Sequence, residues 1–257
     1  MNQHNTKFGA NIYHRFTHLA WRHQISIGWQ IARLQAQILF SNKFLLFIAL
    51  VFGYSIICYV INYKSQMISR LTQEDILPVL LEIPLTVLVI LVNMQVISSE
   101  KDNRTLEVMF TTAGSRYKIW ALRLVTLNLL FFVLSLLLST LAFFAFADMA
   151  ILSTAIHGFI PVFFVGSVTL YFAVKFRSGF AAGMISGGVL LFYLMFTDFF
   201  EDTRYSLFFN PFDMPRQLDP ETWNLWMWQN RITVFLLGCF MLFLALRGLD
   251  NRERMLR

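Results

Sequence analysis

Six unbroken apolar runs, near 44–62, 76–97, 119–146, 151–174, 180–197 and 232–249, constrain this chain more than anything else in it. A bilayer core about 30 Å thick is crossed by roughly 20 apolar residues in helical geometry. Lipid offers the backbone no hydrogen-bond partner, so each run is expected to close its own hydrogen bonds as a helix. A membrane β-barrel would instead show alternating strands of about ten residues. Composition agrees: 14% of the 257 residues are charged, 57% are hydrophobic, and the mean hydropathy is +0.58. A soluble domain carries about a quarter charged residues. The expected fold is therefore all-α and integral to the membrane, with six transmembrane helices.

Basic residues set the expected orientation. Sixteen of the 21 Lys and Arg fall before the first run, around the second and fourth connections, or at the C-terminus; the other side holds Lys64, Arg70, Arg204, Arg216 and Arg231. By the positive-inside rule both termini are expected in the cytoplasm, a parity that six spans satisfy. The net charge of +6 then reflects topology and gives no reason to propose nucleic acid as a partner. Three parts follow: a cytoplasmic tail over 1–43, a six-span domain over 44–249 and a short cytoplasmic tail over 250–257. The first 43 residues contain no apolar core of the signal-peptide kind. Instead Trp21, Ile25, Trp29, Ala32 and Leu39 recur among Arg22, Arg33 and Gln35. That spacing predicts an amphipathic helix lying along the inner leaflet.

Several features bear on chemistry. Cys58 and Cys239 both fall inside spans, so no disulfide framework is implied. His14 and His18 stand four apart without an acidic or thiol companion, and no metal site is expected. No phosphate-binding loop, His-Glu-x-x-His or Gly-x-Ser-x-Gly motif occurs, so the chain is not expected to be an enzyme or to hydrolyse nucleotide itself. Glu82, between Pro78 and Pro84 in the second run, is a candidate pathway residue because an acid within a span is functional by default. A structural pairing of Glu82 is the other reading. Gly179, Gly183 and Gly187 recur at four-residue spacing beside Ala182 and Ser186, a smooth strip that permits close helix approach. The facing helix belongs either to the same chain or to a second copy. Residues 198–231 are acidic and aromatic, with turns at Asn210-Pro211 and Met214-Pro215, and read as two short interfacial or re-entrant helices.

Between the second and third runs lies a polar island, 98–118, carrying both signs of charge with Leu106 and Met109 among them. It suits a short amphipathic helix that docks on something at the membrane surface. Glu100, then Arg104-Thr105-Leu106-Glu107, then Thr111-Thr112-Ala113-Gly114-Ser115-Arg116, resembles the signature of the type-2 ATP-binding-cassette exporter permeases. Members of that family typically carry Gly where Arg104 stands and Pro where Ala113 stands. The resemblance extends to the layout of amphipathic helix, six spans and interfacial segment before the last span.

The resemblance implies a coupling helix between spans two and three, with Glu100, Arg104, Thr105, Leu106, Glu107, Met109 and Arg116 facing a separate cytoplasmic ATPase. The permease would bind no cofactor, ATP and Mg residing on that partner. A second permease copy, or a homologous one, would complete the pathway, in the plasma (inner) membrane. Two other classes stay open at this stage: an ATPase-independent channel or ion-coupled carrier using Glu82, and a non-transporting scaffold.

Overall fold

The computed structural model describes residues 42–64, 71–102, 116–199, 203–215 and 218–249. The expected N-terminal amphipathic helix, the centre of the docking segment and the C-terminal tail lie outside the described residues. The described residues are helical and contain no strand. Five helices are long and apolar enough to cross a membrane, over Leu45–Lys64, Glu74–Gln95, Arg123–Ala145, Ile151–Phe176 and Pro220–Gly248. This is the architecture of a multi-pass membrane protein. The fifth expected run forms a shorter apolar helix, Gly179–Met195.

In chain order the elements are α1 (Asn42–Lys64), α2 (Gln73–Ile76), a π-helical stretch (Leu77–Glu82), α3 (Ile83–Asp102), α4 (Arg116–Ala145), α5 (Ile151–Phe176), α6 (Gly179–Met195), a 3-10 turn (Thr197–Phe199) and α7 (Pro220–Leu249). Thr72 caps α2: its backbone N–H and hydroxyl donate to Asp75 Oδ2 at 3.0 and 2.8 Å. Glu74 and Asp75 in the first turn also complement the positive end of the helix dipole. Proline explains the π-helical stretch. Pro84 has no N–H for the Leu80 carbonyl, and its ring would collide with that carbonyl in a regular helix. The wider turn, closed by the Ile83 N–H donating to the Pro78 carbonyl, relieves the conflict.

α5 is the hub, packed against α3, α4, α6 and α7. On α4 the buried residues Leu124, Leu127, Phe131, Leu134 and Leu138 recur at three and four residues, while Val125, Leu129, Val133 and Leu137 form an exposed stripe behind them. Ser135 and Ser139 donate to the carbonyls of Ala155 and Ile151 at 2.9 and 2.8 Å, tying α4 to α5. The outward faces of α1, α6 and α7 are apolar as well, including Leu50, Ile57, Phe180, Phe192, Phe235 and Phe243. An apolar surface of that extent suits lipid, not water.

α5 ends at Arg177, which adopts the left-handed conformation (φ 55°, ψ 24°) that usually selects glycine. Ser178 then starts α6 by accepting from the Ala181 N–H at 3.2 Å. These two residues form a tight hairpin, so α6 runs antiparallel to α5.

The region after α6 departs from the sequence expectation. Instead of two short interfacial helices, a 3-10 turn leads to an irregular segment, and Pro220 opens a single 30-residue helix. Residues 220–231, expected outside the membrane, are the first three turns of α7. Pro fits there because the first helical N–H needs no partner.

Candidate functional site

The π-helical stretch delivers Glu82 to the interior. In a regular helix Glu82 would lie about 140° around from Leu77 at 100° per residue. In the wider turn, where residues five apart are paired, Leu77, Leu80, Leu81 and Glu82 are all buried together. Glu82 is 1% exposed.

Arg231 of α7 meets it there, also 1% exposed, with Nη2 3.5 Å from Glu82 Oε1. Arg231 has further partners: Nη2 donates to the Phe209 carbonyl at 2.6 Å and Nε donates to Nδ1 of His157 at 3.3 Å. With Nδ1 accepting, the imidazole proton belongs on Nε2. Glu82 is less well served, since neither carboxylate oxygen has a hydrogen bond. A close charge-assisted bond would be about 2.7–2.9 Å. The pair is therefore loose on the carboxylate side, while the guanidinium is held through Nη2 and Nε with Nη1 left without a partner.

The segment 203–215 is held over this pair from several directions. Asn230 Nδ2 donates to the carbonyls of Arg204 and Ser206 at 3.0 and 2.7 Å. The Tyr193 hydroxyl accepts from the Leu207 N–H at 2.9 Å and shares a hydrogen bond with Ser206 Oγ at 2.8 Å. Asn210 Nδ2 donates to the Glu74 carbonyl at 2.7 Å, which ties the segment to α2. Trp223 Nε1 donates to the Pro211 carbonyl at 3.1 Å, and its ring lies 4.5 Å from that of Phe209. Each backbone group anchored this way has its partner within the chain.

Beside Glu82 a cavity of about 310 Å³ opens toward this end of the bundle, with exposed Glu74, Asp75 and Asp213 around its mouth. Aromatic rings of Tyr193, Phe208, Phe209 and Trp223 form much of its wall. A larger cavity, about 640 Å³, lies between α5, α6 and α7. Its wall is mainly aliphatic, and its charged residue, Arg204, is exposed and turned onto Tyr205, with Nη2 donating to that hydroxyl at 2.7 Å. Chemistry that could orient a polar ligand therefore concentrates at the smaller cavity. Among the described residues no group of His, Cys, Asp and Glu is arranged to hold a metal.

The glycine strip separates into two parts. Gly179 and Gly183 are buried, and a side chain at Gly183 would run into Met94 of α3. Gly187 has open space where its Cβ would be. The residues expected to dock, Arg104, Thr105, Leu106, Glu107 and Met109, lie outside the described residues. Glu100 is in the last turns of α3, and Arg116 opens α4.

Sequence reasoning singled out Glu82 and missed Arg231, His157 and Asn230. In the sequence Arg231 reads as an outer basic residue because the last apolar run begins at 232. The available signal was Pro220 followed by acidic Glu221 and no further proline, the pattern of a helix start well before the apolar run. No protein-family model matches the chain, and neither the curated proteins nor the solved structures contain a match to it.

Proposed function

We propose that the chain is the six-span permease subunit of an ATP-driven exporter, coupled at the inner membrane surface to a separate ATPase. The observation that carries this reading is the continuity of one helical rod. From Gln73 to Asp102 the chain runs through α2, the π-helical stretch and α3 without a break. The rod bears Glu82 near one end and leads into the polar docking segment at the other. Twenty residues separate Glu82 from Asp102, about 30 Å at 1.5 Å per residue. A push on the segment 103–115 is thereby delivered to the buried pair by an element that cannot compress. α4 resumes at Arg116, so the docking segment joins two long helices.

α6 supplies the sixth span in this reading. Its 17 residues stand at the short end of the spanning range. It leaves the Arg177–Ser178 hairpin and carries Tyr193 to the Glu82 end, returning across whatever thickness α5 traverses. Both termini and the docking segment then lie in the cytoplasm, and the segment 203–215 lies outside. Two ATPase subunits on a pair of permeases would supply the differential binding energy that an alternating pathway requires.

The test is co-purification from mild detergent of the tagged chain with an ATPase subunit, together with ATPase stimulation. Leu106→Asp combined with Glu107→Arg is expected to abolish both; retention of both would refute the docking assignment. A second reading, an ion-coupled carrier, is favoured by one observation, the buried carboxylate with unfilled hydrogen-bonding positions. It predicts transport that continues without any ATPase and stops in Glu82→Gln.

A further inference from the structure

We propose that the cavity of about 640 Å³ between α5, α6 and α7 takes one acyl chain of an anionic phospholipid, with the lipid phosphate on Arg204. The inference is independent of ATPase coupling. α6 and α7 both pack on α5, and among the described residues their contact with each other is marginal at most. The result is a groove with α5 as its floor. α6 lines it with Val189, Leu190 and Tyr193, and α7 lines it with Gln229, Thr233 and Leu237, one residue per turn. Val189, Thr233 and Leu237 are also exposed, so the groove opens on the apolar surface that suits lipid. One end is bridged. From α6 the Tyr193 hydroxyl holds Ser206 and Leu207, and from α7 Asn230 holds the carbonyls of Arg204 and Ser206. That bridge sets the spacing of the two helices, so the groove does not close by their coming together.

Depth selects an acyl chain. Arg247, exposed in the last turn of α7, marks one membrane surface, and Asn230 lies about 26 Å back along the helix at 1.5 Å per residue. A hydrocarbon core of about 30 Å then puts the bridge near the opposite headgroup layer. From Gln229 to Leu237 the groove descends about 12 Å, close to one leaflet's share of that core. A chain hanging from a headgroup at the bridge fits this length, whereas a spanning helix of a second copy would run on into the bridge. Charge selects the headgroup. Among the described wall residues Arg204 alone is charged, it is exposed, and no described carboxylate pairs with it. Its bond to the Tyr205 hydroxyl, with the guanidinium 4.9 Å from that ring's centroid, holds it at the rim. A guanidinium has five N–H donors that match phosphate oxygens, so most remain for a ligand. Phosphatidylcholine brings the same phosphate with a cation beside it, and the wall offers that cation no carboxylate.

The experiment is native mass spectrometry of the full chain in a non-ionic detergent, titrated with dioleoyl phosphatidylglycerol or dioleoyl phosphatidylcholine. One tight phosphatidylglycerol per chain is expected, bound at least fivefold more strongly than phosphatidylcholine. Arg204→Gln is expected to remove that preference, whereas Arg247→Gln, which neutralises an exposed cation at the far end of α7, leaves it. Val189→Trp, filling the groove from its exposed edge, is expected to weaken both lipids at least fivefold. Val189 and Arg204 are both exposed, so neither substitution disturbs the packed interior. Equal binding of the two lipids, a preference that survives Arg204→Gln or falls as far in Arg247→Gln, or unchanged lipid binding in Val189→Trp would each overturn the site. A dimer that excludes lipid would overturn it as well, since a second copy would then cover the groove.

Discussion

At the residue scale, the buried Glu82–Arg231 pair fixes how this end of the bundle is assembled. Each charge is tolerated in the interior because the other is there. Arg231→Met alone leaves Glu82 uncompensated and is expected to destabilise the protein by about 3–5 kcal/mol. Combining it with Glu82→Leu removes both charges and is expected to recover most of that loss. Thermal unfolding of the four variants in one detergent measures the coupling; simply additive losses would show that the 3.5 Å contact carries little energy. Asn230 has a different role. Asn230→Leu strips the donor from the part-buried Arg204 carbonyl and the buried Ser206 carbonyl, the latter a loss of about 1–3 kcal/mol. Faster proteolysis within 203–215 in detergent is the expected readout, with unchanged cleavage elsewhere. The acid of this site was legible from sequence because a carboxylate inside an apolar run stands out. Its partner was not, because Arg231 abuts the run and reads as a flanking charge until the helix is known to begin at Pro220.

At the scale of elements, the helix positions were readable and their contacts were not. The apolar runs predicted α1, α3, α4, α5, α6 and the C-terminal part of α7, since lipid forces an apolar run to be helical whatever packs against it. Periodicity gave no help with facing, because a span is apolar on its lipid side as well as its buried side. Glycine contacts now supply that information. A Cβ at Gly238 of α7 would lie 2.7 Å from the Phe163 ring and 3.3 Å from the Phe164 backbone of α5, and one at Gly166 of α5 would lie 2.7 Å from Val89 of α3. Neither an aromatic ring wedged between helices nor a β-branched valine yields easily. Gly238→Leu and Gly166→Leu are therefore each expected to lower stability by about 1–3 kcal/mol. Gly187→Ala, facing open space, is expected to be neutral or to stabilise by up to about 1 kcal/mol through helix propensity. Thermal unfolding of the three variants checks the order; a loss in Gly187→Ala equal to the other two would contradict the open space beside it. The π-helical stretch was foreshadowed by Pro78 and Pro84, which signalled an irregular turn but not which way it would rotate Glu82.

At the scale of the whole molecule, Glu82 lies near one end of the Gln73–Asp102 rod and the chain proposed to dock follows its other end, and α5 braces that rod against α6 and α7. Such a scaffold suits force transmission: rigid helices in the middle, a loosely bonded carboxylate at one end, a polar connection at the other. If the proposed coupling to an ATPase holds, loosening the Glu82 end is expected to uncouple that ATPase rather than to stop it. In Arg231→Met with Glu82→Leu, ATPase activity of the assembled complex should persist while substrate dependence is lost, as measured by reconstituted ATPase assays. A stimulated rate indistinguishable from that of the unaltered complex would show that the pair is only structural.

Substituted-cysteine labelling tests the two-ended arrangement most directly. In a background carrying Cys58→Ala and Cys239→Ala, single substitutions Leu106→Cys and Asp213→Cys are treated in intact cells with a membrane-impermeant thiol reagent. Asp213→Cys is expected to label at once and Leu106→Cys only after permeabilisation. Labelling of Leu106→Cys in intact cells, or of both positions from the same side, would contradict the proposed coupling from the inner surface.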